Sequence, residues 1–348
     1  MSPRPRLLIL RALGLGDFLT GVPAYRALRA AYPRHEIVLA APGPLAPLAA
    51  LTGAVDRVLP TGELQPVRWA GPPPGIAVDL HGNGPASHDL VRALAAPTTI
   101  MYASAAAPET AGPWWDDREH EVDRWCRLLE WHGIPADRGA LRLRRPVGAA
   151  APPVRQAVIL HPGAASPSRR WPPGRFAAVA RALAAAGEQI VITGTRTERQ
   201  TAERVARAAG LGPQSVLAGR TGLAELAAVV AAARLVISND TGVAHLAVAY
   251  GRPSVTLFGP VSPRLWGPPP LAAGRHVALW TGTGDRPGDP HGGHVDPRLL
   301  QIGAGDVLAA VRAIRGFGRL PLSPRTGGPA RSAGTPRAAA ASPPRAAG

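Results

Sequence analysis

Short, unbroken apolar runs separated by helix-length stretches constrain this chain more than any other feature. In the first half they are RLLILRA (6–12), EIVLAA (36–41), DRVLP (56–60), IAVDLHG (76–82) and TTIMYA (98–103). Runs without polar alternation are the mark of strands buried on both faces, so a parallel sheet covered by helices is expected. The intervening stretches predict helices over 17–31, 44–52, 85–95 and 119–132. Between Arg144 and Arg155 the periodicity stops and Pro146, Pro152 and Pro153 appear, which reads as a linker.

The pattern then restarts. AVILHPG (157–163), QIVITG (189–194), SVLAG (215–219), RLVISND (234–240) and PSVTLFG (253–259) read as strands. Helices are predicted over 174–186, 197–209, 223–233 and 241–250. A Pro/Gly-rich loop (260–297) carries a short strand near His276–Trp280, and 306–314 reads as a closing helix. The α/β chain of 348 residues thus divides into two Rossmann-like halves, 1–145 and 156–318, joined by a linker at 146–155. Residues 319–348 hold Pro, Gly, Ala, Ser and Arg without an acid, the composition of a disordered basic tail. Ligands of such folds bind at the carboxyl ends of the strands, here in a cleft between two parallel sheets.

Composition excludes several chemistries. The chain has no lysine, so its 39 basic residues are all arginine. P-loops, Schiff-base lysines and Ser-x-x-Lys nucleophiles are ruled out. With Cys126 alone there is no zinc ribbon, CxxC pair or intrachain disulfide. GxSxG, HExxH and DxD are absent as well. The net charge of +16 reads as compositional bias, but it is uneven. Residues 1–150 have 16 arginines against 14 acids, net +2, whereas 151–318 have 18 against 9, net +9. The second half is therefore the one suited to an anion such as a nucleotide diphosphate. A nucleic-acid face is disfavoured, because aromatic residues make up only 5% and do not interleave with basic runs. The longest uncharged stretch, 37–55, is interrupted by Pro42, Pro44 and Pro47, and the apolar start Leu7–Leu10 ends at Arg11. Neither a membrane span nor a signal peptide is expected, and the location expected is cytoplasmic.

Four loops carry candidate chemistry. In RALGLGD (11–17), Gly14 and Gly16 allow a tight turn, and Asp17 reads either as a first-turn helix acid or as a general base at a cleft mouth. GxGxxG is incomplete, with Leu19 at the third glycine, so a dinucleotide site is disfavoured. LHPGAASPSRRWP (160–172) is a long loop in which Gly163, Arg169 and Arg170 could wrap a phosphate, or simply a surface loop. In SNDTGVAHLA (238–247), Asp240, Thr241 and Gly242 read, taken alone, as an N-cap with His245 one turn on packed against the sheet; at the same sheet edge as the arginine loop, they read better as a helix start whose amides point at an anion. In TGTRTERQ (193–200), Glu198 is a candidate for ribose hydroxyls or a first-turn glutamate. The HGGH segment with Asp289 and Asp296 is a weak metal pattern in a Gly/Pro loop. Trp114-Trp115-Asp116-Asp117 reads as a loop facing an acceptor or as a packed turn.

The GxGD turn after the first strand, HPGAASPSRRWP (161–172) and NDTGVAHLAVAYGRPSVTLFGP (239–260) together resemble glycosyltransferase family 9, the ADP-heptose:lipopolysaccharide heptosyltransferases. The resemblance runs over roughly residues 5–315. It implies a GT-B fold, with an acceptor-binding N-terminal domain and a nucleotide-sugar-binding C-terminal domain. It implies inverting, metal-independent transfer without a cofactor, from ADP-heptose or a similar donor to a glycan, lipid-linked or small-molecule glycoside acceptor. Service in lipopolysaccharide core or another envelope glycan follows from it, and a lipid-linked acceptor would bring peripheral membrane association. By position, Asp17 is the implied base, Thr241 and Gly242 the diphosphate site with His245 close by, and Glu198 a residue near the ribose. Two departures stand out. Arg169 replaces a family lysine, keeping charge and bidentate reach. The cysteine-rich segment that some members carry after the last strand has no counterpart. A non-catalytic sugar-nucleotide-binding protein on the same shell is the alternative, and the retained Asp17 speaks against it.

Overall fold

The computed structural model describes residues 4–146, 154, 156–269, 274–283 and 288–314. The first half comprises β1 (Arg6–Leu10), α1 (Leu15–Thr20), α2 (Val22–Ala31), β2 (Glu36–Ala41), α3 (Ala46–Thr52), β3 (Arg57–Pro60), β4 (Ile76–Asp79), α4 (Pro85–Arg92), β5 (Thr98–Ile100) and α5 (Glu121–Trp131). Then come β6 (Val158–His161), α6 (Pro173–Ala185), β7 (Ile190–Ile192), α7 (Arg199–Ala209), α8 (Leu223–Ala232), β8 (Leu235–Asn239), α9 (Gly242–Ala249), β9 (Ser254–Leu257), α10 (Pro263–Trp266), β10 (His276–Leu279), α11 (Pro297–Gln301) and α12 (Ala304–Ala313). Most of the expected linker and all of the basic tail lie outside the described residues.

Both sheets are parallel and five-stranded, in the orders β3-β2-β1-β4-β5 and β10-β9-β8-β6-β7. The continuous apolar runs explain this, because β1, β4, β6, β8 and β9 are buried along nearly their whole length. Each sheet has one switch point where successive connections run in opposite directions. It lies between β1 and β4 in the first sheet and between β6 and β8 in the second. A crevice opens at such a point beyond the strand ends, and every candidate loop but one leaves a strand beside one of the two.

Three expectations are corrected. The run 17–31 is two helices that meet at Gly21, which caps both. SVLAG (215–219) is not a strand. A 3₁₀ turn at Pro213–Ser215 and a left-handed Gly219 leave room for only an isolated bridge between Val216 and Ile192. The loop 260–297 also contains the short helix α10, opened by Ser262, whose side chain accepts from the Arg264 amide.

The halves are not separate apolar bodies. One core cluster runs from Leu7, Phe18 and Tyr25 in the first half to Val229, Val243 and Leu246 in the second. Helix α1 packs on α9, and α3 on α8. The α1–α9 contact depends on small residues at both helix starts. A Cβ on Gly242 would lie 2.7 Å from Leu15 Cβ, and one on Gly16 would lie 3.3 Å from His245 Cδ2. A second cluster fills the space between β6–β9 and helices α6, α7 and α12.

Candidate active site

Asp17 sits in the first turn of α1, which opens at the extended Gly14. Its backbone carbonyl accepts three bonds: from Arg11 Nε at 2.6 Å, Thr20 Oγ1 at 2.9 Å and the Gly21 amide at 3.1 Å. Among the described residues no other side chain bonds its carboxylate, which stays partly exposed. The main chain is thus pinned while the carboxylate remains open for a ligand. Burial pushes its pKa up. Arg11 pulls it back, Glu121 pushes it up again, and Arg169 of the other half pulls it down. Greater proton affinity in a partly desolvated carboxylate is what a general base requires.

Arg11 is the support behind this turn, and it is fully buried. Its Nη2 donates at 3.0 Å to both Thr20 Oγ1 and Glu121 Oε1, and its Nη1 donates to the Leu80 carbonyl. The guanidinium also stacks over Trp125 at 4.7 Å. Glu121 accepts further bonds from Trp125 Nε1 at 2.8 Å and from Arg124. Burying these charges is tolerable only because each has partners. Beside them, at the end of β4, His81 Nδ1 accepts from the Ala12 amide at 3.2 Å. Burial, with Arg11 nearby, lowers the His81 pKa to about 4, so the ring is neutral.

Across from α1 stands α9. Thr241 is its extended N-cap, and its side chain makes no capping bond; the Ala244 amide donates to the Thr241 carbonyl at 2.9 Å, and the Gly242 and Val243 amides remain open to an anion. Asp240 just before it is 6% exposed and its pKa is pushed up to about 6 by burial. Arg169 opposes that shift, and Asp17 adds to it. His245 lies one turn along, held neutral because burial lowers its pKa to about 4, with His120 acting the same way and Glu121 opposing. The three charged groups Asp17, Asp240 and Arg169 therefore act on one another across the two halves.

The two arginines of the long loop part company. Arg170 turns back on its own loop, donating to the Ala164 carbonyl at 2.8 Å and the Ala165 carbonyl at 3.2 Å. Arg169 has its Nε buried without a hydrogen-bond partner among the described residues. The loop is held rigidly. Asn239 Oδ1 accepts from the Trp171 amide at 3.0 Å, and its Nδ2 donates to the Pro162 carbonyl at 2.8 Å. The buried Trp171 indole donates to the Ile302 carbonyl at 2.9 Å. Gly163 lies directly beneath Glu198, where any Cβ would run into that carboxylate. Glu198 itself accepts from the Thr195 amide at 2.7 Å, so part of its capacity is spent on its own turn.

The HGGH segment supports this loop. The Gly292 carbonyl accepts from the Ser168 amide at 3.1 Å and from Ser166 Oγ at 3.0 Å. Asp289 accepts from the His291 amide, and Asp296 caps α11 and pairs with Arg298. Among the described residues no group of three or more His, Cys, Asp or Glu could hold a metal ion. Of the Trp114–Asp117 stretch, Trp115 is packed edge-on against Tyr102 and Trp125, whereas Trp114 is 64% exposed.

Sequence reasoning did not find Arg11, Glu121, Asn239, His81 or His120. Arg11 and Glu121 are 110 positions apart, and nothing in the sequence pairs them. Asn239 left a faint signal, as one of only two asparagines in the chain and the last residue of a buried strand. His120 caps α5 with Nδ1, leaving Nε2 to donate to the Gly267 carbonyl at 3.0 Å in the other half.

Comparison with known proteins agrees with this geometry. The sequence profile of glycosyltransferase family 9 (heptosyltransferase) matches residues 93–283. The chain is 26% identical over 323 residues to the lipopolysaccharide heptosyltransferase 2 of Salmonella typhimurium, covering 80% of this chain and 89% of that protein. In fold it is similar to a glycosyl transferase of family 9 from Veillonella parvula, with TM-score 0.73 and 21% identity over 90% of this chain and 98% of the other. It is also similar to the ADP-heptose lps heptosyltransferase II of E. coli, with TM-score 0.70 and 23% identity over 89% and 98%. The two facing parallel sheets are accordingly a GT-B fold. With the match spanning more than half of its length, the chain belongs to glycosyltransferase family 9, the heptosyltransferases, and is a glycosyltransferase.

Proposed function

We propose that this protein is an inverting glycosyltransferase that moves a heptose-like sugar from ADP-heptose, or a similar nucleotide diphosphate donor, to a hydroxyl of a glycan or glycoside acceptor. The observation that carries the reading is the open Asp17 carboxylate in the first turn of α1, which packs on the Gly242 end of α9 and lies within electrostatic reach of Arg169. Residues 1–145 would hold the acceptor and 156–318 the donor. Of the relatives named above, the Salmonella protein is a lipopolysaccharide heptosyltransferase and the E. coli protein an ADP-heptose lps heptosyltransferase, which supports the donor class.

The chemistry runs in one displacement. Asp17 removes the proton from the acceptor hydroxyl, that oxygen bonds to the anomeric carbon from the face opposite the diphosphate, and the bond to the diphosphate breaks. Charge grows on the departing diphosphate, where Arg169 and the Gly242 end of α9 stabilise it. Arg170, bound to its own loop, is not in that role. Fixed arginine and helix-terminal charge can serve where other transferases use a metal ion, and Cys126, the one cysteine, is buried in α5.

A calorimetric and thermal-shift screen of ADP, GDP, UDP and their sugar conjugates, run in EDTA, tests the reading. A ligand present at 100 times its Kd stabilises the fold by about 2.7 kcal/mol. ADP-heptose should give the largest shift and support turnover. Donor binding without transfer to any hydroxyl would favour the non-catalytic reading, and no response to any sugar nucleotide would defeat both.

A further inference from the structure

We infer that Trp114 is the stacking platform of an acceptor subsite for an uncharged saccharide ring; this rests on the reading of the first half as the acceptor side. Trp114 is the most exposed large apolar residue described, at 64%. Mobility of its loop does not account for that exposure, because the loop is pinned on every side. The Ala103 amide donates to the Pro113 carbonyl at 2.9 Å, and Ala103 and Trp114 form a β-bridge. Gly112 passes so close to the Met101 carbonyl that a Cβ would strike it. Arg127 donates to the Trp114 carbonyl at 3.1 Å while its guanidinium is paired with Glu119. Arg124 stacks over the neighbouring Trp115 at 4.1 Å and donates to the Asp116 and Glu119 carbonyls. A rigid loop that holds an indole out in water has its stacking face prepared in advance.

The loop also stands in the right place. It leaves the carboxyl end of β5, two strands from β1 in the same sheet. With strands about 4.8 Å apart, that is about 10 Å from the strand that leads to Asp17. Arg124 and Glu121 tie it to Arg11, and hence to the Asp17 turn. A ring beyond the one bearing the reacting hydroxyl would meet Trp114.

Charge selects the class of ring. Residues 101–120 contain Glu109, Asp116, Asp117 and Glu119 against Arg118. The arginines at this rim are committed to carboxylates: Arg92 to Glu109, Arg118 to Asp116, Arg124 to Glu121 and Arg127 to Glu119. A phosphorylated or carboxylated sugar would meet net negative charge here. A neutral ring can lay its C–H face on the indole and offer its hydroxyls to Asp116 and Asp117.

The test compares the full chain with Trp114→Ala and Trp114→Phe. Indole fluorescence is titrated with lactose and maltotriose, and with glucuronate-terminated disaccharides. The neutral sugars should quench and blue-shift an emission component that both variants lack. Calorimetric affinity for them should fall between about 3- and 10-fold in Trp114→Ala and recover largely in Trp114→Phe. Equal affinity in wild type and Trp114→Ala, or binding of only the charged sugars, overturns the inference. So does a dimer in sedimentation that Trp114→Ala disperses, since the indole would then serve an interface. ADP-heptose titrated into the same samples separates the two claims. Absence of binding in wild type, by ADP-heptose and by every other sugar nucleotide of the screen, would defeat the transferase reading, whereas intact donor binding with no Trp114 effect would defeat only this subsite.

Discussion

Helices α1 and α9 hold equivalent places in the two sheets. Each leaves a strand beside the switch point, each starts among glycines, and each carries an acid at its opening, Asp17 and Asp240. They are charged in opposite ways. Behind α1 the positive charge is buried and spent: Arg11 is fully enclosed and bound by Glu121, Thr20 and two carbonyls. Beside α9 the positive charge is held in reserve: Arg169 has a buried Nε without a partner among the described residues, and the helix amides are uncapped. The same contrast holds for the loops, because the arginines of the first-half rim pair with carboxylates while Arg169 does not. One site thus keeps an acid ready to accept a proton, and the other keeps cationic capacity ready for an anion. Sheet topology is common to both, and a few side-chain pairings assign the roles.

Removing the acid should break the comparison most severely. Asp17→Asn should lower turnover by about 10²–10⁴-fold while nucleotide affinity measured by calorimetry stays nearly constant. Near-normal turnover would remove Asp17 from the base role. Next comes the buried support. Glu121→Ala leaves Arg11 enclosed without its carboxylate and should cost about 3–5 kcal/mol in urea unfolding. A loss below about 1 kcal/mol would mean that Thr20 and the carbonyls suffice.

On the other side, Arg169→Ala should weaken donor binding by about 10- to 100-fold, the worth of charge-assisted bonds to a diphosphate, with acceptor KM little changed. Arg170→Ala should change donor affinity less than about 3-fold, because its bonds are to its own loop. Equal effects of the two would erase the distinction drawn between them.

The smallest effect is on pH. Burial raises the pKa of Asp17 in the folded protein, so kcat/KM should rise with pH along an acid limb displaced above the ordinary carboxylate range. Asp240, raised to about 6, binds a proton more tightly when folded than when unfolded. Its contribution to stability is present below about pH 4, where unfolded aspartate also binds its proton, and is lost as pH rises through 6. Asp240→Asn should flatten that part of the stability profile, and an unchanged profile would show that Asp240 titrates normally.

How much of this was legible in the sequence differs by level. The parallel sheets were legible because a strand buried on both faces has to be apolar along most of its length, as IVLAA and LVI are. The four loops were legible because turns that approach a ligand need glycine and small residues. The segment SVLAG misled because its apolar content matched a strand, while the turn from Pro213 and the left-handed Gly219 at its end left room for one bridge only. The difference between Arg169 and Arg170 was not legible, since adjacent residues of one type carry no mark of which carbonyls lie near them. Nor was the partnership of Arg11 with Glu121.

The sequence by itself determined the α/β alternation, the two halves, the surplus of positive charge in the second, and the residue types at each strand end. These follow from local rules: which side chains can be buried in a strand, and which backbones can turn. Tertiary structure alone decided which charges face one another. Electrostatic coupling depends on distance and on exclusion of water, and both are set when α1 meets α9 and α5 closes over Arg11. For that reason the same arginine, uniform along a chain without lysine, is buried support at one position, a loop brace at another and the reserved cation at a third.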